Sequence, residues 1–456
     1  MIVQGRPATY LRAQDDTVVP MTSARAPQVL VLGLNFPPES TGISPYTGAM
    51  ARGLHRNGFD TQVLTTHPHY PEWRTQPGGR QWHRRDDRDG VRVDRLRHYV
   101  PSSPRGIRRL ISEFSFGARA TSRRWGRPDV IITVSPAMIA SAMAVFRARV
   151  THPRTPVVVW VQDLYTLGLA ETGQATGIAL AAMRAIERWL LRSADQVVVI
   201  HNRFADRVVR DFGVERRRVA VVRNWTHLSP TPGYDVGAVR ASHNWAQDDV
   251  VVLHAGNMGL KQGLDNVIET ARLASSRGER VRFVLLGAGS ELERLRALGA
   301  GIPNLEFLSP VSDEEFTATL GSANILLVNE RPGVAEMAVP SKLTSYFASG
   351  RPVVAATDLN GITADEVRAA DAGVVVPAGD PFALLSAVLE LGSDEAEAFR
   401  LGNNARLYRQ TVLDEDTAIR SFSEILGTLI QEGTAPQTRP DHTKPVEDTS
   451  TEELLD

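Results

Sequence analysis

Runs of strand composition alternate with helical patterns along almost the whole chain, and no other feature constrains the fold as tightly. In the first half the strands read "QVLVLGL", "TQVLTT", "VRVDRL", "DVIITV", "PVVVWV", "DQVVVI" and "RVAVV". Helical patterns such as "YTGAMARGLHRNG", "IALAAMRAIERWLLRSA" and "RFADRVVRDFG" lie between them. A polar stretch holding Pro230, Pro232 and Gly233 interrupts the alternation, which then restarts with "VVVLHAG", "VRFVLLG", "LEFLS", "NILLVN", "PVVAAT" and "GVVVP". Repeated strand–helix–strand units build parallel sheets. The expectation is an α/β protein of two Rossmann-like, doubly wound domains facing a central cleft, over residues 27–230 and 231–410. A helix over 411–431 is expected to return to the first domain. Residues 1–26 and the acidic, Pro- and Thr-rich end 432–456 have little to bury and are expected to be disordered. Met21 stands just before the first strand, so either Met1 or Met21 fits as the start of translation.

Local punctuation agrees with this division. Gly58 sits where a helix C-cap glycine belongs, "SDEE" from Ser312 to Glu315 reads as a capping box, and Asp380 precedes Pro381 as an N-cap. With 456 residues the chain has room for two or three cores. It contains no cysteine, which excludes disulfides, thiolate metal sites and cysteine nucleophiles. The longest apolar stretch, "VIITVSPAMIASAMAVF", is broken by Pro136 and reads as strand, loop and buried helix rather than a membrane span.

The formal charge of −1 hides a local imbalance, because arginines far outnumber acids between Arg80 and Arg127. Nucleic acid, an anionic membrane surface, a phosphorylated substrate or a plain solvated face each fit that pattern.

Each domain opens with a strand and a glycine-bearing loop. The first is "LNFPPESTGISPYTG" around Gly42; the second is "HAGNMGLKQG", with Gly256, Asn257, Gly259 and Lys261. Neither has the spacing of a dinucleotide fingerprint or of a nucleoside triphosphatase P-loop. Glycines let backbone approach a ligand, and a helix start offers free N–H groups to an anion. A lysine pointing into water from an ordinary turn fits the second loop as well. A third glycine turn, "LLGAGSE" with Gly287 and Gly289, also follows a strand. In "VPSKLTS", Ser341 is placed to cap a helix and Lys342 stands in its first turn, where the helix dipole disfavours a cation unless an anion neutralises it. A diphosphate fits that place, with backbone N–H groups of Leu343 and Thr344 donating to phosphate oxygens; an exposed lysine at low cost fits it as well.

The ordered set "PPESTGISPYTGAMARGLHRNGFDTQVLTTHPHYPEW", "HAGNMGLKQGLDNVIETA", "PSKLTSYFASGRPVV" and "PAGDPFALLSAVLEL" resembles glycosyltransferase family 4, closest to its colanic-acid-type exopolysaccharide and O-antigen branch, over about residues 27 to 430. The resemblance implies the GT-B fold and a retaining transfer from a nucleotide sugar, held by the second domain, to an acceptor held by the first. It implies diphosphate contacts from Lys261, Lys342, Leu343 and Thr344, with Gly287 and Gly289 bordering the nucleoside. Gly42 would approach the leaving phosphate, and Asp163 in "VQDLYTLG" would line the reaction centre.

Two departures stand out. Asn257 occupies a place where many members carry arginine, and Ser345 one where many carry a ribose-binding glutamate. Glu336 lies near the place of the first of the two family glutamates, off its spacing, and is assigned to the donor hexose. No cofactor or metal is expected, since cationic side chains would take a metal's role. Expected partners are a nucleotide sugar, a lipid-linked saccharide acceptor and an anionic membrane, contacted peripherally from the cytoplasmic side; nucleic acid is not. A non-catalytic scaffold of a polysaccharide assembly complex and a sugar-nucleotide 2-epimerase stand as alternatives.

Overall fold

The computed structural model describes residues 25–39, 42–76, 79, 81–102, 106–171, 177–225, 233–334 and 342–434. Eight strands form the first sheet: β1 Gln28–Leu32, β2 Asp60–Thr66, β3 His83–Arg88, β4 Val91–Leu96, β5 Val130–Ser135, β6 Val157–Val161, β7 Gln196–Val199 and β8 Val219–Val221. Six form the second: β9 Val250–Ala255, β10 Val281–Leu286, β11 Leu305–Leu308, β12 Ile325–Asn329, β13 Val353–Thr357 and β14 Gly373–Pro377. Their orders are β3-β4-β2-β1-β5-β6-β7-β8 and β11-β10-β9-β12-β13-β14. Every pairing is parallel except β3 with β4. Sequence reading missed β3, whose "HRRDDR" is too charged to look like a strand; the Asp-Gly turn at Asp89–Gly90, with φ of 53° and 79°, was its only signal.

The central strands β5 and β6 are mostly apolar and buried on both faces, as sheets covered by helices on each side require. In β5 and β6 every residue is buried. In each sheet the order reverses beside its first strand, between β1 and β5 and between β9 and β12. Crevices open beyond the carboxyl ends of strands at such switch points, and ligands bind there.

Helix starts follow local chemistry. The Ser312 side chain accepts from Glu315 N, and Asp380 accepts from Phe382 N and Ala383 N ahead of a helix with Pro381 in its first turn. The polar stretch between the domains holds a short helix as well, Val236–Ser242, capped by Asp235.

Helix Glu415–Thr434 lies on the first domain, not the second. Its Ala418, Phe422 and Leu426 join the cluster around β1 and helix Ser44–Arg56. The Phe422 ring meets Trp160 edge-on at 4.9 Å between centroids. Gly53 makes the crossing close, since a Cβ there would stand 2.4 Å from Ile419 Cδ1. A second link is polar. Glu366, 2% exposed, accepts from Arg223 Nη1 at 2.6 Å and Tyr408 OH at 3.2 Å, with His201 Nε2 at 3.3 Å. His201 and Arg223 belong to the first domain, Glu366 and Tyr408 to the second.

Candidate active site

The loop after β9 is built to be rigid. Lys261 sits in a single 3-10 turn, Leu260–Gln262, closed by Gly263 in the left-handed region (φ 54°). The carbonyl of Lys261 accepts from Arg331 N at 2.8 Å, and Asn329 Nδ2 donates to Gln262 O at 2.7 Å. The loop is thus tied to the stretch after β12, its partner across the switch point.

Lys342 begins the helix Lys342–Ser349, and its Nζ lies 3.2 Å from His254 Nε2 on β9. Burial, with Lys261 adding to it against the pull of Glu330, brings the ammonium down to about 7. Burial and then the Lys342 charge hold His254 well below the usual histidine range. Its ring is therefore neutral, and Nε2 accepts from Lys342. Glu330 follows β12 directly; its carboxylate accepts from the hydroxyls of Thr357 and Thr363, the latter at 2.9 Å. Burial raises its pKa, opposed by those two hydrogen bonds and then by Lys261 and Lys342. Two lysines, one carboxylate and a neutral imidazole thus share the crevice at β9 and β12.

The first domain supplies the facing wall. Burial pushes Asp163, just after β6, up to about 6 against the charges of Lys261 and Arg109. Tyr46, in helix Ser44–Arg56, meets the Thr344 side chain across the cleft. Gly42 has φ 67°, and a Cβ there would press 3.2 Å from the Tyr70 ring. That ring is held from behind: Glu39 Oε1 accepts from His69 N at 2.9 Å and Tyr70 N at 3.0 Å.

The other expected positions divide by environment. Asn257 is exposed, while Leu343 (1%) and Ser345 (8%) are buried. Gly256 (φ 127°) lies along Lys342, since a Cβ there would be 3.8 Å from its Nζ. Gly287 and Gly289 are needed by packing: their Cβ atoms would stand 2.0 Å from Gly256 O and 2.3 Å from Met258 O. Gly259 N donates to Gln262 Oε1. Glu336 and Ser341 lie outside the described residues.

Two family models match, a glycosyl transferase 4-like domain over residues 41–225 and a glycosyl transferases group 1 domain over 235–408. The putative colanic acid biosynthesis glycosyl transferase WcaI of Escherichia coli K12 is 32% identical over 71% of this chain and 81% of its own. The chain belongs to glycosyltransferase family 4. Its GT-B fold is shared with sucrose-phosphate synthase of Thermosynechococcus elongatus (TM-score 0.70, 17% identity, 89% of this chain and 100% of that one). It is shared also with Anabaena HepE in complex with UDP-glucose (TM-score 0.64, 14% identity, 88% and 99%). Within this glycosyltransferase of exopolysaccharide biosynthesis, sequence reading missed His254, Glu330, Tyr46 and Arg109. Glu330 carried a signal: a carboxylate just past the apolar run Ile325–Val328 and Asn329 stands at the ligand-binding edge of a doubly wound sheet.

Proposed function

We propose that this glycosyltransferase moves a sugar from a nucleoside diphosphate to a lipid-linked saccharide, with retention at the anomeric carbon and without a metal ion. The observation that carries the reading is the convergence of Lys261 and Lys342 at the β9–β12 switch point, opposite Asp163 of the other domain. A diphosphate entering there meets two cations and the start of helix Lys342–Ser349, whose dipole adds positive potential. Lys342, held near neutrality by burial, takes up a proton as the anion arrives.

As the bond from C1 to the phosphate oxygen breaks, negative charge gathers on the leaving diphosphate and positive charge on the sugar ring. The lysines stabilise the first, and the Asp163 carboxylate is suited to stabilise the second, in a site that needs little reorganisation. The acceptor oxygen bonds C1 on the same face, and its proton passes to the leaving phosphate. Gly42 gives the backbone room near that phosphate. Glu336 and Ser341 are assigned to the donor as well. Transfer of the sugar to the lipid-linked saccharide would take place at the cytoplasmic face of the membrane.

Transfer from a panel of nucleotide sugars to extracted lipid-linked acceptors tests the reading. Lys261→Ala is expected to lower kcat about a hundredfold, as loss of one preorganised charge of this kind costs about 3 kcal/mol. Activity is expected to survive EDTA. Full turnover in Lys261→Ala, or a donor altered with no acceptor present, would overturn the proposal; the latter would indicate an epimerase.

A further inference from the structure

Strand β9 carries a single ionisable side chain, His254, and buries it completely. Along the strand, Val251, Leu253 and Ala255 face one apolar cluster, while Val252 faces the other. Alternation puts the imidazole on the side of Val252, level with Leu285 of β10, which belongs to that same cluster. A histidine on such a face loses hydration, and a leucine would fill the space without that loss. Its reason for being there is therefore polar, and it lies at the carboxyl end of the strand.

The polar partner comes from the other side of the sheet. Helix Lys342–Ser349 packs on the opposite face, through Leu343, Tyr346 and Phe347. The Lys342 side chain thus crosses the carboxyl end of β9, alongside Gly256, to bring Nζ within 3.2 Å of His254 Nε2. Every other charged or titratable neighbour is engaged elsewhere or acts only through its charge. Glu330, after β12, is held by the hydroxyls of Thr357 and Thr363. Lys261, from the turn after β9, repels Lys342 and faces Asp163 of the first domain. The Tyr346 hydroxyl accepts from Ala255 N at 2.8 Å. Among the described residues, His254 Nε2 is the hydrogen-bond acceptor for Lys342 Nζ.

We infer that His254 is a positioning residue for the donor: as an uncharged acceptor it fixes Lys342 Nζ over the end of β9 and leaves the other N–H groups for the diphosphate of the nucleotide sugar. The inference rests on the nucleotide-sugar reading above and adds a residue to it. The choice of side chain follows from charge. An apolar residue at 254 would leave a buried Nζ without this acceptor, and the lysine chain would be free to turn away. A carboxylate would hold Nζ more firmly but would tie up its charge in an ion pair that competes with phosphate. A neutral imidazole fixes the direction and spares the charge. The ring keeps its acceptor nitrogen because burial, and then the Lys342 charge, oppose its protonation.

Calorimetric titration of the whole protein with UDP-glucose, UDP-N-acetylglucosamine, GDP-mannose and GDP-fucose tests it, the tightest binder being carried forward. His254→Leu is expected to weaken binding about tenfold or more, since a hydrogen bond to a charged group is lost. It should also bring the alkaline fall in affinity to lower pH, because an ammonium without its acceptor gives up its proton more readily. His254→Gln, which offers a carbonyl oxygen in place of Nε2, should recover most of the affinity and the parent pH profile. His254→Glu should bind weakly although it holds Nζ more strongly. Once the donor is bound, its phosphates are the acceptors, so the Leu variant should change KM more than kcat. Thermal unfolding checks that each variant is folded. Parent affinity and pH profile in His254→Leu would overturn the inference. So would a Gln variant as weak as the Leu one, which would make the imidazole a matter of packing, or a Glu variant that binds like the parent. Failure of the parent to bind any nucleotide sugar would overturn the donor assignment, and this inference with it.

Discussion

Two ionisable groups facing one cleft predict a pH profile. Asp163 is pushed up to about 6, chiefly by burial, so raising pH through that value creates the carboxylate. Lys342 is brought down to about 7, chiefly by burial, so raising pH further removes its ammonium. If transfer uses both charged forms, kcat/KM, which reports the free enzyme, rises through about pH 6 and falls above about pH 7. Asp163→Asn should abolish the acid limb and leave the alkaline one, and an acid limb that persisted would exclude Asp163 as its source. Lys342 stood out in the sequence beside a helix start, and Asp163 came only from the family resemblance. His254 was not legible, because a histidine inside "VVVLHAG" looks like an ordinary strand residue. Only the fold brings Lys342, 88 positions away, to within 3.2 Å of it. Residue chemistry can be read along a chain, but a pair that distant meets only through the parallel sheet.

Elements were easier to read than their neighbours. Alternating apolar runs announced the parallel strands, since being buried on both faces leaves them little choice of residue. The charged edge strand β3 escaped, because an edge needs no such composition and benefits from charge. The final helix was expected as a return to the first domain from its position; what it packs on comes from the structure. Phe422, wholly buried against Trp160, anchors it. Phe422→Ala should cost about 3 kcal/mol, the usual loss for emptying a buried aromatic site, and lower the thermal midpoint. The residues proposed for the site all lie elsewhere, so donor affinity at low temperature should change little. A variant as stable as the parent would mean that the helix is held by other contacts.

At the scale of the whole molecule, the described residues include two unlike joints between the domains. Glu366 is one: burial raises its carboxyl, but the His201 hydrogen bond and the Arg223 charge outweigh this and leave it below the usual range. Its contribution is therefore present above the ordinary glutamate pKa and is lost as pH falls through the lowered one. Removing one member of a buried ion pair typically costs about 3 kcal/mol. Glu366→Gln should accordingly lower stability near neutral pH and flatten the loss of stability on acidification, read as thermal midpoint against pH. An unchanged acid dependence would assign the linkage to other carboxylates. The other joint is helix Glu415–Thr434, which supplies Phe422 and Leu426 to a core begun by Val29 and Val31. A ribosome makes those partners nearly four hundred residues apart. The first domain is thus translated first yet completed last, and it must wait, with Trp160 uncovered, until the second domain has been synthesised and its final helix has emerged.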